Sequence, residues 1–263
     1  MKGILCFLLG CMALAVTART QEKQEQLNAQ QKLEKTCASI KSGEIKEPPS
    51  QLADTCQTLE DDQAAKKEAA KENLEFAAGK YCGAPWVPDS SEATSVNRLL
   101  PKLRTTFKRE YPGRSVLFLP VKSPVINSWT VIADSKKSLV CMPTGIIDFL
   151  SNDGELAFVM GHEIGHAVDQ ACMRTKKDKA EQRVCEARAD AVGFDLLVKS
   201  GFSPYDAAAA FGKMEMYSGD TKTGLGAKLL ALGNSHPMTP ERIEHMHSML
   251  TQYNAVLNGP LAH

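Results

Sequence analysis

The chain has 263 residues, enough for one well-filled core with an appendage or for two small domains. Its 31 basic and 31 acidic side chains cancel and the pI is near 7.0, so no basic face is on offer and nucleic acid is not expected as a partner. A hydrophobic fraction of 43% is that of an ordinary soluble protein.

The first element is a leader. Gly3 to Val16 is an apolar run behind a single Lys2, too short to span a bilayer and shaped like a signal peptide. Val16-Thr17-Ala18 places small residues at −3 and −1, so residues 1–18 are expected to be removed. Leu8-Leu9-Gly10-Cys11 offers a rival, a lipoprotein signal that would attach the chain to a membrane through Cys11. Either route is an export route, with the periplasm the expected destination. No further spanning segment is expected in the mature chain. Six cysteines follow the leader: Cys37, Cys56, Cys82, Cys141, Cys172 and Cys185. An even number in an exported chain suggests disulfides.

Residues 19–88 are polar. Arg19 to Ile40 and Gln51 to Lys80 read as helices with few large apolar residues, separated by Pro48-Pro49. A hairpin closed by Cys37–Cys56 is the simplest picture; a solvated linker is the alternative, because so polar a segment buries little.

Turn residues from Gly83 to Ser91 mark a boundary, and residues 89–258 form the expected globular domain. Glu92 to Glu110 predicts an amphipathic helix, with Val96, Leu99, Leu100, Leu103 and Phe107 on one side. Strands are expected over Ser115–Val121, Trp129–Ala133 and Ser138–Met142, the last two joined by the turn Asp134 to Lys137. A short helix, Ile146 to Leu150, comes next. Asn152 then caps a helix whose Leu156, Val159, Met160, Ile164 and Val168 recur at three- and four-residue intervals. A charged loop, Arg174 to Lys179, leads to a helix over Ala180–Lys199 and another from Pro204 to about Tyr217. Loops at Gly219–Gly226 and Gly233–Pro240 precede a last helix ending near Asn254, on which His245 and His247 read as surface residues.

The chemistry lies in His162-Glu163-Ile164-Gly165-His166. Histidines four apart on a helix project from one face and can hold one Zn²⁺ per chain between neutral imidazoles. Glu163 is then placed as general base. Unpaired His and Glu in so apolar a helix would be costly, and a metal removes that cost. A catalytic zinc needs a third protein ligand. The positions at which metzincins carry a glycine and a histidine are here Asp169 and Cys172, which excludes that class. Glu186, on the following helix, is the candidate. Asp190, one turn further on the same face, is placed to accept a hydrogen bond from a ligand histidine and fix its tautomer. Cys172 and Cys185 bracket the loop between the two helices and are expected to bond, which leaves Cys82 with Cys141.

These motifs resemble the gluzincin zinc metalloendopeptidases that include the HtpX heat-shock protease and the type I CAAX prenyl protease. The resemblance runs from about Ser91 to Tyr253. It rests on Asn127-Ser128-Trp129, Gly145-Ile146-Ile147, Gly154-Glu155-Leu156-Ala157 before the histidines, Glu186 with Asp190, and Ser235-His236-Pro237 followed by Arg242-Ile243. It implies an α+β, mainly helical, zincin-like domain with a small three-stranded sheet over the zinc helix. It further implies a soluble, periplasmic member acting on misfolded or misassembled envelope polypeptides, main-chain pairing of substrate along Asn127, Trp129 and Val131, and a place for residues 235–242 beside the metal. Arg242 sits in a first helical turn, where a cation opposes the helix dipole, so it needs a carboxylate nearby. His236 would then face the zinc's open side, either as a donor to the developing oxyanion or as an occupant of the fourth position. The rival to an active endopeptidase is a protease-fold binding or chaperone module, for which an intact Glu163 is not required.

Overall fold

A computed structural model describes residues 21, 24–150, 152–174, 178–220, 236 and 239–258. The expected leader with Cys11, the expected loops across 221–235, and His263 lie outside the described residues. The chain forms two compact units, Met1–Glu72 and Asn73–His263.

In the first unit, helix α1 (24–41) and helix α2 (Ser50–Ala77, which runs on into the second unit) are joined by the disulfide Cys37–Cys56. Those two cysteines are the buried residues among the described residues of this unit. Lys41 Nζ lies 3.1 Å from Glu60 Oε1, but both side chains are exposed and the pair adds little stability. The disulfide is therefore the main tie between these helices.

In the second unit α2 gives way to a π-helical turn, Ala78–Cys82, ended by Gly83 in the left-handed region. Helix α3 (Ser91–Glu110) follows, its N-terminus capped by the Ser90 side chain, which accepts from the Ala93 N–H. Strands β1 (Ser115–Val121), β2 (Trp129–Ile132) and β3 (Lys137–Pro143) form one sheet in the order β1-β3-β2. β1 runs parallel to β3 and β2 antiparallel to it, so among the described residues β2 is an edge strand. Asp134 Oδ1 accepts the N–H groups of Lys136 and Lys137 at 2.7 and 2.9 Å, which closes the β2–β3 turn.

The sheet's two faces have different partners. Phe118, Val140 and Met142 point into the main core with Leu103, Phe158, Met160, Ile164, Leu196 and Leu197. Leu119, Val121, Leu139 and Cys141 point the other way and pack under Ala78 and Cys82, with Trp129 and Val131 at the margin. The Cys82–Cys141 disulfide fastens the π-turn to that second face.

Helix α4 (Thr144–Phe149) leads to α5 (Asp153–Val168), the helix of the histidines. Asn152 caps it by accepting the Glu155 N–H at 2.8 Å, and the buried Glu155 carboxylate receives Lys213 Nζ at 2.6 Å. Every residue from Gly154 to Ala167 is buried, so α5 is the central rod of the domain. A short separate helix, α6 (Gln170–Arg174), follows and ends where the charged loop expected from Arg174 begins. Helix α7 (Lys179–Lys199) starts with a capping box between Asp178 and Glu181 and is followed by α8 (Pro204–Asp220) and α9 (Pro240–Asn258). The mainly helical α+β zincin-like arrangement expected from the sequence is the one found. No helix among the described residues is long and apolar enough to cross a membrane.

α5 and α7 approach closely because glycines face each other. A Cβ on Gly165 would lie 2.6 Å from Ala189 Cα, and one on Gly193 would lie 2.8 Å from the His162 backbone nitrogen. That approach sets Glu186 and Asp190 beside the histidines. The Cys172–Cys185 disulfide closes the link between the two helices.

Candidate active site

His162 and His166 project from α5 toward Glu186 on α7. Their Nε2 atoms are 3.1 Å apart. Glu186 Oε2 lies 3.5 Å from His162 Nε2, and Oε1 lies 3.4 Å from His166 Nε2. His162 Nδ1 lies 2.8 Å from Asp190 Oδ1, a bond in which the imidazole is the only donor. That bond fixes the tautomer and leaves the Nε2 lone pair turned toward His166 and Glu186. Lone pairs and a carboxylate converging on one point repel unless a cation lies among them. The donor set therefore fits a divalent metal, and two imidazoles plus one carboxylate suit zinc.

The charges agree. Burial opposes a proton on His162, yet Asp190 and Glu186 overcome it and push its pKa up to about 9. His166 is pulled down to about 4, first by burial and then by the neighbouring His162. Burial works to raise the Glu186 carboxyl, but its bonds with His162 and His236 hold it well below the usual carboxylate range. Positive charge is thus favoured between His162 and the α7 carboxylates, while burial keeps His166 neutral.

Glu163 sits at the same end of the site with no exposed surface. Its Oε1 accepts Ser128 Oγ at 2.8 Å, and its Oε2 accepts Thr130 Oγ1 at 2.7 Å. Burial again works to raise its pKa, and the surrounding imidazoles outweigh it, so Glu163 is held ionised. Sequence reasoning named Ser128 only as part of Asn127-Ser128-Trp129 and did not name Thr130; neither bond to Glu163 was foreseen. The available signal was a threonine facing inward between Trp129 and Val131 on an apolar strand, a hydroxyl that must find a buried acceptor.

His236 lies over the same point. Its Nδ1 is 3.0 Å from Glu186 Oε2 and 3.2 Å from the Nε2 of each α5 histidine. Its Nε2 is 3.2 Å from the Ser128 carbonyl oxygen. His162, His166, Glu186 and His236 each offer a donor atom, and these atoms lie within 4.8 Å of one another. Arg242 is 4% exposed and holds Asp190 through Nε at 2.8 Å and Nη2 at 2.6 Å. Its Nη1 donates to the His236 carbonyl at 3.4 Å and lies 3.3 Å from Glu186 Oε2. The carboxylate that its place in a first helical turn calls for is Asp190.

Asn127 and Ser128 line a recess with Ile126, Ile146, Val159 and Met214, open beside His162 and Glu163. Trp129 and Val131 do not join them: their side chains pack on the other face of the sheet. Any part they take at the site is through the β2 main chain. The other helix α9 histidines lie apart from this cluster. His247 is exposed, whereas His245, expected at the surface, is half-buried with its Nδ1 enclosed and without a hydrogen-bond partner. It turns inward because it shares a face of α9 with the buried Arg242, three residues before it, and Met249, four after it, which packs on the core.

A helix bearing H-E-x-x-H beneath a three-stranded sheet, with a carboxylate brought in from the next long helix, defines a zincin-like metallopeptidase domain. The chain belongs to peptidase family M48, whose profile matches residues 90–176 and 179–250. Membership implies metallopeptidase activity. None of the curated proteins compared with the chain matches it. The matched span covers the sheet, α5, α7 and most of α9, and begins after the first unit.

Proposed function

We propose that this chain is an exported zinc endopeptidase that cuts unfolded or misassembled envelope proteins. One observation carries the reading: the ionised Glu163 carboxylate hangs from an edge strand by Ser128 and Thr130, beside a His162–His166–Glu186 donor set. A zinc ion held by those three residues supplies a Lewis acid that acidifies water and draws charge from a carbonyl oxygen. Glu163 takes a proton from the attacking water on its carboxylate and passes it to the departing amine. The Ser128 and Thr130 hydroxyls hold that carboxylate at one position through both transfers. Asp190 keeps His162 in the tautomer that leaves Nε2 free.

The edge of β2 supports the substrate class. A chain can add to it only by offering free main-chain N–H and C=O groups, which a folded strand has already committed to its neighbours. The recess lined by Ile126, Ile146, Val159 and Met214 takes an apolar side chain next to the cleaved bond. Unfolded chains offer both features. Three disulfides suit an oxidising compartment outside the cytosol, which is where the leader directs the chain. His236 belongs to this reading as a removable fourth donor that keeps the site closed until substrate displaces it.

The test is digestion of casein by zinc-loaded protein, with and without a chelator. Cleavage that stops on chelation and returns with zinc is the expected result. Chelator-insensitive cleavage, or none at all, overturns the reading.

A further inference from the structure

The last turn of α2 and the π-turn that follows it over the sheet each carry one large exposed ring. Phe76 is 66% and Tyr81 is 45% exposed, unusual for aromatic side chains in a domain with so well-filled a core. The Lys80 ammonium lies 5.5 Å from the Phe76 ring centroid and 5.1 Å from that of Tyr81. One cation thus lies against both rings at the surface. Trp129, the first residue of β2, directs its indole N–H toward the Tyr81 carbonyl at 3.5 Å. Cys82 is fastened to Cys141, and Cys141 is the register partner of Trp129. The aromatic turn is thereby fixed against the start of the edge strand rather than free to move over it.

Alternation along a strand gives this patch its occupant. On β2 the Thr130 side chain points to Glu163, while Trp129 and Val131 point to the opposite face. A polypeptide added to the β2 edge must follow the same pleat. Side chains that approach Glu163 alternate with side chains delivered to the face of Trp129 and Tyr81. No polar side chain is needed to receive those; an apolar one covers exposed ring area.

We propose that Phe76, Tyr81 and Trp129 form an aromatic shelf that binds an apolar side chain of the polypeptide substrate, a few residues from the scissile bond. This rests on the proteolytic reading above. It makes the enzyme select segments with two apolar side chains on opposite faces, one for the recess beside Glu163 and one for the shelf. Buried core segments of an unfolded chain have that pattern; surface segments do not.

The test uses the zinc-loaded full chain and a set of internally quenched peptides sharing one cleavable sequence. Flanking residues two to five positions from the bond on each side are Gly and Ser throughout, or carry a single Phe. The expected result is that one Phe-bearing peptide is cleaved with kcat/KM about 10-fold above the Gly/Ser peptide, on the basis of burying one large apolar side chain. Tyr81→Ser and Phe76→Ser should each shrink that advantage, mainly through KM, and leave the Gly/Ser peptide unchanged. Tyr81→Phe should keep the advantage. No preference for Phe at any flanking position, or an advantage that survives in both serine variants, overturns the shelf while leaving the protease intact. Failure of wild type to cut any of the peptides, or casein, overturns the proteolytic reading and the shelf with it.

Discussion

Arg242 holds Asp190 through two nitrogens, Nε to Oδ2 at 2.8 Å and Nη2 to Oδ1 at 2.6 Å. Asp190 in turn orients His162, so a residue at the start of α9 bears on a histidine in α5. Burial works to raise the Asp190 carboxyl, but His162 and Arg242 hold it below the usual carboxylate range. The pair, with His162, ties three helices together at the site.

Arg242→Ala should therefore act on both stability and metal. Asp190 would be left as a buried carboxylate with one partner fewer, a change that costs about 3–5 kcal/mol for pairs of this kind. Metal affinity should fall about 10–100-fold, as expected when the group orienting a ligand loses its support. Urea denaturation and zinc retention during dialysis against a chelator measure the two effects. Arg242→Met combined with Asp190→Leu should recover most of the stability and none of the zinc. A double variant that still holds zinc like wild type would show that the pair is structural only.

Glu163→Gln should separate holding the metal from using it. Glutamine accepts the Ser128 or Thr130 hydroxyl through its carbonyl but cannot take up a proton. The variant should keep one zinc per chain and lose casein cleavage by a factor of at least about 10². Cleavage at the wild-type rate would remove Glu163 from the mechanism.

The glycines at the α5–α7 crossing should tolerate no side chain. Gly165→Ala would put its Cβ 2.6 Å from Ala189 Cα, and Gly193→Ala would put its Cβ 2.8 Å from the His162 nitrogen. Either change should force the helices apart, cost about 1–3 kcal/mol and weaken zinc binding, since Glu186 moves with α7. Gly212→Ala on α8 meets nothing within 4 Å and should instead stabilise by about 0.5–1 kcal/mol. Thermal melts of the three variants decide the point; equal effects at Gly165 and Gly212 would be the contrary result.

These glycines also show where sequence reading runs out. Periodicity located α5, α7 and the three strands to within a residue or two, because buried helices and half-buried strands need apolar residues at fixed intervals. The donor set was legible because His162, His166 and Glu186 lie on two long helices close in sequence, with only the short α6 between them. Sheet order was not, since nothing in the strand sequences states that β1 pairs with β3 rather than β2. The roles of Ser128 and Thr130 depend on that pairing, as it makes β2 an edge and puts Thr130 over Glu163. Gly165 inside the HEIGH motif carries no mark that a neighbouring helix backbone lies against it. α6 is one turn of helix, too short to show a period.

The Cys172–Cys185 bond should stabilise the site more than its position near the surface suggests. It spans a sequence separation of 13 residues and joins the segments that carry the histidines and Glu186. Closing a loop of about that length is worth about 3 kcal/mol through the unfolded chain. Replacing both cysteines by serine should lower stability by about that amount in urea and quicken zinc loss to a chelator. The same pair of changes at Cys37 and Cys56 should leave zinc loss unaltered, because that bond lies in the other unit. Equal zinc retention in both double variants would mean that packing between α5 and α7 alone holds Glu186 in place.

The latch role proposed for His236 rests on where its ring lies. Its Nδ1 is within hydrogen-bond distance of Glu186 Oε2, at 3.0 Å, and sits 3.2 Å from the Nε2 of both α5 imidazoles. A residue there occupies the space that substrate needs, and a zinc held by four protein donors has no open position for chemistry. His236 is itself held by Arg242, whose Nη1 donates to its carbonyl at 3.4 Å, so the proposed latch is tied to the same pair that bonds His162. His236→Ala should therefore keep zinc on His162, His166 and Glu186, raise the initial rate of casein cleavage and promote self-cleavage during storage. Arg242 remains in that variant, so loss of folding should not obscure the result. The opposite outcome, a fall in kcat of about 10²-fold with zinc retained, would make His236 a donor to the developing oxyanion instead of a latch. Mass spectrometry of stored protein beside initial rates on casein separates the two, because only removal of a latch increases both self-cleavage and turnover.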